Sequence, residues 1–243
     1  MVVAALALCA SAVACGAQVV AIPTIVIGFL GGRVHADNDV HLEVRMAQKL
    51  QRMHPRDAVV RVFANRHGDE AFNEVMRQVD ANHDGRISRE ERAAARIVIY
   101  GHSWGASQTV TLAQQLDREK IPVLLTVQVD SVAKSNEVEG GKIPGNVAQA
   151  INFYQTEGML RGRNAIQAME PLKTTILGNI RLDYREHKID CHKFPWFART
   201  FMLPHIEIEN DVQVWDRIEA MIEEKIEGKI SSGGAVARPH TMP

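Results

Sequence analysis

Cysteine is scarce in this 243-residue chain: Cys9 and Cys15 lie in an apolar N-terminal stretch, and Cys191 stands alone beyond it. A lone thiol makes no internal disulfide, so the fold past that stretch must stand on its core, with a metal at most to help. An excess of charge is lacking too. The formal net charge is −1 and there is no long basic run, which removes the electrostatic footprint of a nucleic-acid partner or an anionic membrane surface. No internal repeat and no low-complexity tract is present. What remains is 46% hydrophobic and 23% charged, an ordinary globular composition long enough for one large α/β domain with a real core.

Residues 1–22 differ in kind. They are apolar or small almost throughout, and the first basic residue of the chain is Arg33. Ala12-Val13-Ala14 supplies the small-residue cleavage pattern of a secretory signal, although the charged n-region is missing. The stretch therefore reads as a cleaved signal. An uncleaved anchor, long enough at about 20 residues to span a bilayer, and lipid attachment at Cys15 stay open. Each reading expects a secreted or periplasmic protein, with membrane contact only through this segment. Residues 231–243, "SSGGAVARPHTMP", have the composition of a disordered tail. The domain proper is expected over 23–230.

Along that domain, β-branched runs alternate with amphipathic stretches. "TIVIGF" (24–29), "AVVRVFA" (58–64), "RIVIYG" (96–101) and "PVLLTVQV" (122–129) read as buried strands, and "VAQAINFYQ" (147–155) contains a further short one. Helical spacing appears at 40–53, 69–79, 106–119 and 212–230. Strands alternating with helices of this length imply an α/β fold: a mostly parallel central sheet with helices on both faces. In such sheets functional groups gather at the carboxyl ends of the strands.

Two motifs lie almost end to end. Residues 80–91, "DANHDGRISREE", match the calcium-loop pattern D-x-[DN]-x-[DN]-G-x5-E at Asp80, Asn82, Asp84, Gly85 and Glu91. Calcium takes six to eight oxygens, so alternate residues must point inward; Arg86 would add its carbonyl and Glu91 would close the site with both carboxylate oxygens. No second loop is visible to pair with this one, which argues for a metal clip and against a sensor. The second motif is Gly101-His102-Ser103-Trp104-Gly105, G-x-S-x-G between a strand and a helix. That turn needs small flanking residues because its chains pass too closely for a Cβ. On composition alone the pattern arises by chance about one time in ten in a chain this long; its strand-helix context raises it to a candidate nucleophile. A strand of about six residues at roughly 3.3 Å each puts some 20 Å between the two motifs. The ion is therefore expected to be structural, not part of the chemistry at Ser103.

With "RIVIYGHSWGAS", "IVIGFLGG" upstream and the order of partners downstream, the chain resembles the α/β-hydrolase family over most of residues 23–230. The resemblance implies that Ser103 attacks an acyl carbon, a histidine takes its proton and a carboxylate orients the histidine. It implies an oxyanion hole from the amide of Trp104 and one from Phe29 or Leu30, in a "GFLGG" loop that lacks the His-Gly start common in the family. The family order of Ser, then acid, then His points to Asp130, which ends the strand after the serine. Glu157, Asp183 and Asp190 are fallbacks. His205, in "HIEIEND" before the closing helix, is the candidate base, capped onward by Asn210 or Asp211; His187 and His192 compete. His187, Cys191 and His192 fit no closed zinc spacing, and His102 is expected as a neighbour of the site. Residues 156–204, rich in Met, Phe, Trp and Leu, are expected as a cap lining an acyl pocket or as a packed excursion. The expected function is cleavage of a small-molecule carboxylic ester or thioester. The alternative is a calcium-binding interaction protein on a catalytically inactive hydrolase scaffold.

Overall fold

Runs of six or seven residues, mostly β-branched and aliphatic, that are buried on both faces are interior strands of a covered sheet. In the computed structural model, which describes residues 23–134 and 140–228, β1 (Thr24–Leu30) and β3 (Ile97–His102) are such strands, buried at every position. They are flanked by β2 (Ala58–Ala64), β4 (Val123–Val129), β6 (Val147–Gln155) and β8 (Thr175–Leu182) in the order β2-β1-β3-β4-β6-β8, every pairing parallel. Two residue pairs, β5 (Lys142–Ile143) and β7 (Gln167–Ala168), form a separate short ladder.

Side chains alternate across the strands, so each face acquires its own core. Val26, Val98, Tyr100 and Val127 pack under α1 (Leu42–Met53) and α7 (Val212–Ile226), with Leu50, Trp215, Ile218 and Ile222 inward. Ile25, Ile27, Phe29, Ile97 and Ile99 pack under α2 (Gly68–Val79) and α4 (Trp104–Arg118), with Val75, Val79, Leu112 and Leu116 inward. Each such side chain contributes about 1.5–3 kcal/mol by leaving water. The short helix α3 (Arg89–Ala94) buries nothing. A third, small cluster joins Cys191, Ala198 and Ile206 through α5 (Trp196–Phe201) and α6 (Leu203–Glu209). This is the parallel, doubly covered sheet of the α/β-hydrolase fold, as expected.

Two details were not expected, and a third decides between two expected caps. Residues 156–204 are not one excursion, because 175–182 form β8, the edge of the main sheet. Its alternation of exposed and half-buried residues, with Gly178 and Asn179 inside, gives the weak signal of an edge strand. "HIEIEND" does not run extended into the closing helix; Leu203–Glu209 are a helix of their own, with Pro204 in the first turn. Of the two proposed caps it is Asp211 that accepts from the Gln213 amide, at 3.0 Å, and starts α7. Residues 1–22 and 231–243, read as a signal and a tail, lie outside the described residues. Among the described residues no helix is long and apolar enough to cross a membrane.

Candidate active site

Ser103 sits between the end of β3 and the start of α4 with φ 58° and ψ −124°, a conformation that a side chain adopts only when its surroundings impose it. The surroundings do. Its amide donates to the Val129 carbonyl at 2.9 Å, and its carbonyl accepts from the Val132 amide at 3.2 Å. The glycines of the motif follow from close approach: a Cβ on Gly105 would stand 2.1 Å from the Phe29 carbonyl oxygen, and one on Gly101 would stand 2.6 Å from the Gly105 carbonyl carbon. Gly31 has the same constraint from the other side, since its Cβ would fall 2.8 Å from that of Ser103. The β1 end and the serine turn are thus pressed together, backbone to backbone.

Two other elements bring their side chains to Ser103. The Ser103 hydroxyl lies 2.9 Å from His205 Nε2, and His205 Nδ1 lies 2.6 Å from Asp130 Oδ2. Because a carboxylate only accepts, Nδ1 carries the hydrogen and Nε2 is left to accept from the serine. Asp130, just past β4, is completely buried. Its oxygens are held by the Gln155 side-chain amide at 2.8 Å and the Gly162 backbone amide at 2.9 Å. Gln155 also donates to the Leu160 carbonyl at 2.9 Å, which ties this support to the loop beyond β6. His205 and Ser103 are buried as well, at 5% and 6% exposure.

The other candidates lie elsewhere. Asp183 is bound to Arg185 at the surface, and Asp190 to His192 at 2.7 Å, both exposed. Glu157 accepts from the Tyr184 amide at 3.3 Å, and His187 is exposed; neither meets the serine. Cys191 is buried, and burial, with Glu207 nearby, pushes its thiol up to about 12. His102 is a close neighbour: it stacks 4.5 Å from the His205 ring, and its Nε2–H donates to the His205 carbonyl at 3.2 Å. Burial brings His102 down to about 4, so it is a neutral imidazole beside His205.

For the oxyanion amides, Trp104 opens α4 immediately after the serine. Phe29 is paired on both sides, to Phe63 and to Gly101, and Leu30 on the β2 side alone, to Ala64. Gly31, which the motif reading passed over, is the loop residue pressed against Ser103. Sequence reasoning also missed Gln155 and Gly162, since their role depends on how the loop after β6 folds back over Asp130.

In the calcium-motif loop, Asp80 accepts from the Asp84 and Gly85 amides at 3.2 and 2.9 Å, and Asn82 from the Asp84 amide at 2.9 Å. Gly85 takes φ 78°, the sharp bend that its position requires. Glu91 reaches back to the Ala81 amide at 3.0 Å and the Ser88 amide at 2.8 Å. Asp80 and Glu91 thus both bond to the loop's own backbone.

No family model matches the chain, and no curated protein matches its sequence. Among solved structures, it is similar to a cutinase-like protein from Cryptococcus sp. at TM-score 0.43 and 12% identity, covering 84% of this chain and 95% of that one. It is similar to a hyperthermophilic esterase from Pyrobaculum calidifontis at TM-score 0.41 and 9% identity, covering 85% and 77%. An arylesterase matches at TM-score 0.42 and 10% identity, covering 84% and 76%. Likeness this distant says nothing of a reaction; the site's chemistry rests on its own geometry.

Proposed function

We propose that the protein is a serine hydrolase of the α/β-hydrolase family that cleaves a carboxylic ester or thioester through an acyl-enzyme. One observation carries this: hydroxyl, imidazole and carboxylate from three separate elements form one hydrogen-bonded line, Ser103 to His205 at 2.9 Å and His205 to Asp130 at 2.6 Å. Ser103 Oγ attacks the acyl carbon while His205 Nε2 takes its proton. The tetrahedral oxyanion is met by the Trp104 amide and by an amide at the end of β1, from Phe29, Leu30 or the adjoining Gly31. Collapse expels the alkoxide or thiolate, protonated by His205. Water, deprotonated by the same imidazole, then releases the acid and restores the serine. Asp130 stays ionised, holding the tautomer and the charge that forms on His205.

A calcium ion held by Asp80, Asn82, Asp84, the Arg86 carbonyl and Glu91 would fix the approach to β3. At about 20 Å from the serine it would act on stability alone. Trp196, Phe197 and Phe201 of α5 are exposed beside the helix that bears His205, which favours an apolar acyl group. An exported location agrees with a calcium site filled at extracellular concentrations. The alternative of an inactive scaffold would need Asp130 or His205 out of reach of one another or of Ser103; the separations of 2.6 and 2.9 Å support the hydrolase reading over it.

The test is stopped-flow hydrolysis of p-nitrophenyl esters of increasing acyl length. A burst of one nitrophenolate per chain, absent in Ser103→Ala, is expected; steady hydrolysis without a burst, equal in wild type and Ser103→Ala, would exclude the acyl-enzyme.

A further inference from the structure

Behind the triad histidine lies a second set of polar side chains that the proposed reaction does not use. His41 caps the start of α1, Glu43 stands in its first turn, and Glu209 ends α6. Their ligand atoms all lie within 4.8 Å of one another, and all three residues are buried, Glu43 completely. His41 Nδ1 bonds to Glu209 Oε1, and His102 Nδ1 lies 3.7 Å from Glu209 Oε2.

Two features of this cluster are unresolved by its own hydrogen bonds. Both carboxylate oxygens of Glu43 are buried with no hydrogen-bond partner, a state that costs several kcal/mol for an ion. His102 spends its Nε2 hydrogen on the His205 carbonyl, so its Nδ1 turns a lone pair toward a carboxylate. His41 Nδ1 bonds to one Glu209 oxygen, but the Glu43 carboxyl lies beside them with no donor of its own, and His102 Nδ1 faces the other Glu209 oxygen with a lone pair. A dication between them satisfies all, since two carboxylates and two neutral imidazoles balance its charge.

We propose that His41, Glu43, Glu209 and His102 form a binding site for a divalent zinc-type ion. Two imidazole nitrogens with two carboxylates suit that class and not calcium. Bonds of about 2.1 Å would set neighbouring ligand atoms roughly 3.4 Å apart, so the ligand atoms of His41, Glu43 and Glu209, which lie within 4.8 Å of one another, would draw together on binding, with His102 reaching the ion from beside Glu209. The His102 Nε2–H···O=C bond to His205 is the outer-shell contact that fixes a ligand histidine's tautomer. With four protein ligands the ion is structural. It pins α6, which carries His205, to the start of α1 and to the residue before Ser103. The site stands whether or not the hydrolase reading holds.

The experiment is calorimetric titration of the chelator-stripped full chain with zinc chloride, in calcium-saturated buffer so that the 80–91 loop does not compete. One zinc per chain at micromolar affinity or tighter is expected. Glu43→Gln, which keeps size and shape, and His41→Gln should each weaken it at least a hundredfold while circular dichroism stays native; Cys191→Ser, removing the sole thiol among the described residues, should bind as wild type. No uptake by the stripped wild type, equal affinity in Glu43→Gln and His41→Gln, or loss of binding in Cys191→Ser would each overturn the proposal. If a variant is misfolded, X-ray absorption of zinc-loaded wild type decides instead: nitrogen and oxygen neighbours support the site, and a sulfur neighbour refutes it.

Discussion

Ser103 is held at φ 58° by neighbours that admit no Cβ, and the consequence is measurable at a single glycine. Gly105→Ala places a methyl against the Phe29 carbonyl, which cannot yield without moving β1. A loss of about 3 kcal/mol, or roughly 6–12 °C in melting temperature for a chain this size, is expected by calorimetry. An unchanged melting temperature would show that β1 and the serine turn are not in contact. Asp130 is fixed by Gln155 and Gly162 and in turn fixes the His205 tautomer. Asp130→Asn keeps the shape and reverses the hydrogen bond, so kcat toward a p-nitrophenyl ester should fall about 10⁴-fold with KM little changed. Cys191 tests the burial of the α5–α6 cluster. Its thiol is pushed up from 9.0 to about 12, so the thiolate fraction at pH 8 is about 10³-fold lower than for a free cysteine. Iodoacetamide should modify it that much more slowly in the native chain, with the rate rising about tenfold per pH unit until near pH 12. Modification at the free-thiol rate would mean that the cluster opens.

Among the elements, those flanked by strong periodicity were legible from the residues alone, and those shaped by tertiary contact were not. β2 was expected over residues 58–64 and is found there, β1 and β4 differ from expectation by a residue at one end, and β3 is shifted by one residue. β1, β3 and β4 are β-branched runs almost wholly buried between helices, where pattern and environment agree; β2, at one edge of the sheet, keeps enough of that signal in Ala58, Val60 and Ala64, although Arg61 is exposed. β8 was missed because an edge strand carries only half a hydrophobic signal, and its Gly178 and Asn179 read as loop. α6 was missed because two β-branched isoleucines in seven residues oppose a helix; packing of Ile206 and Ile208 overrides that preference. Ser103, Asp130 and His205 were found since each falls at a position set by element order. Gln155, Gly162 and the His41–Glu43–Glu209 group were not, because no spacing links residues 43 and 209. The proposed calcium site belongs to this scale: its loop, residues 80–91, leads from α2 into α3 ahead of β3. Withdrawing millimolar calcium at constant zinc should lower the melting temperature by roughly 5–11 °C, if the site is filled to about a hundred times its dissociation constant. Glu91→Gln should show no such difference, and the initial rate of ester cleavage at a temperature well below melting should not change. A rate that followed calcium in the folded protein would contradict a purely structural ion.

In the whole molecule, a parallel sheet delivers the ends of β1, β3, β4 and β6 to one edge, and the polar groups collect there. The serine comes from β3, the carboxylate from β4, its supporting amide from β6, and the histidine from a short helix laid across that edge. Two metal clips are proposed at opposite ends of β3: calcium before it and a zinc-type ion beside its final residue, His102. Such staples suit a fold whose described residues contain one cysteine and no disulfide. The central claim is that Ser103 is activated by His205, and labelling with a fluorophosphonate probe tests it most directly, with the modified residue mapped by mass spectrometry. The account predicts one adduct, on Ser103, abolished in Ser103→Ala and in a folded His205→Ala. No adduct on the folded, calcium-loaded protein, or an adduct that persists in Ser103→Ala, would contradict it.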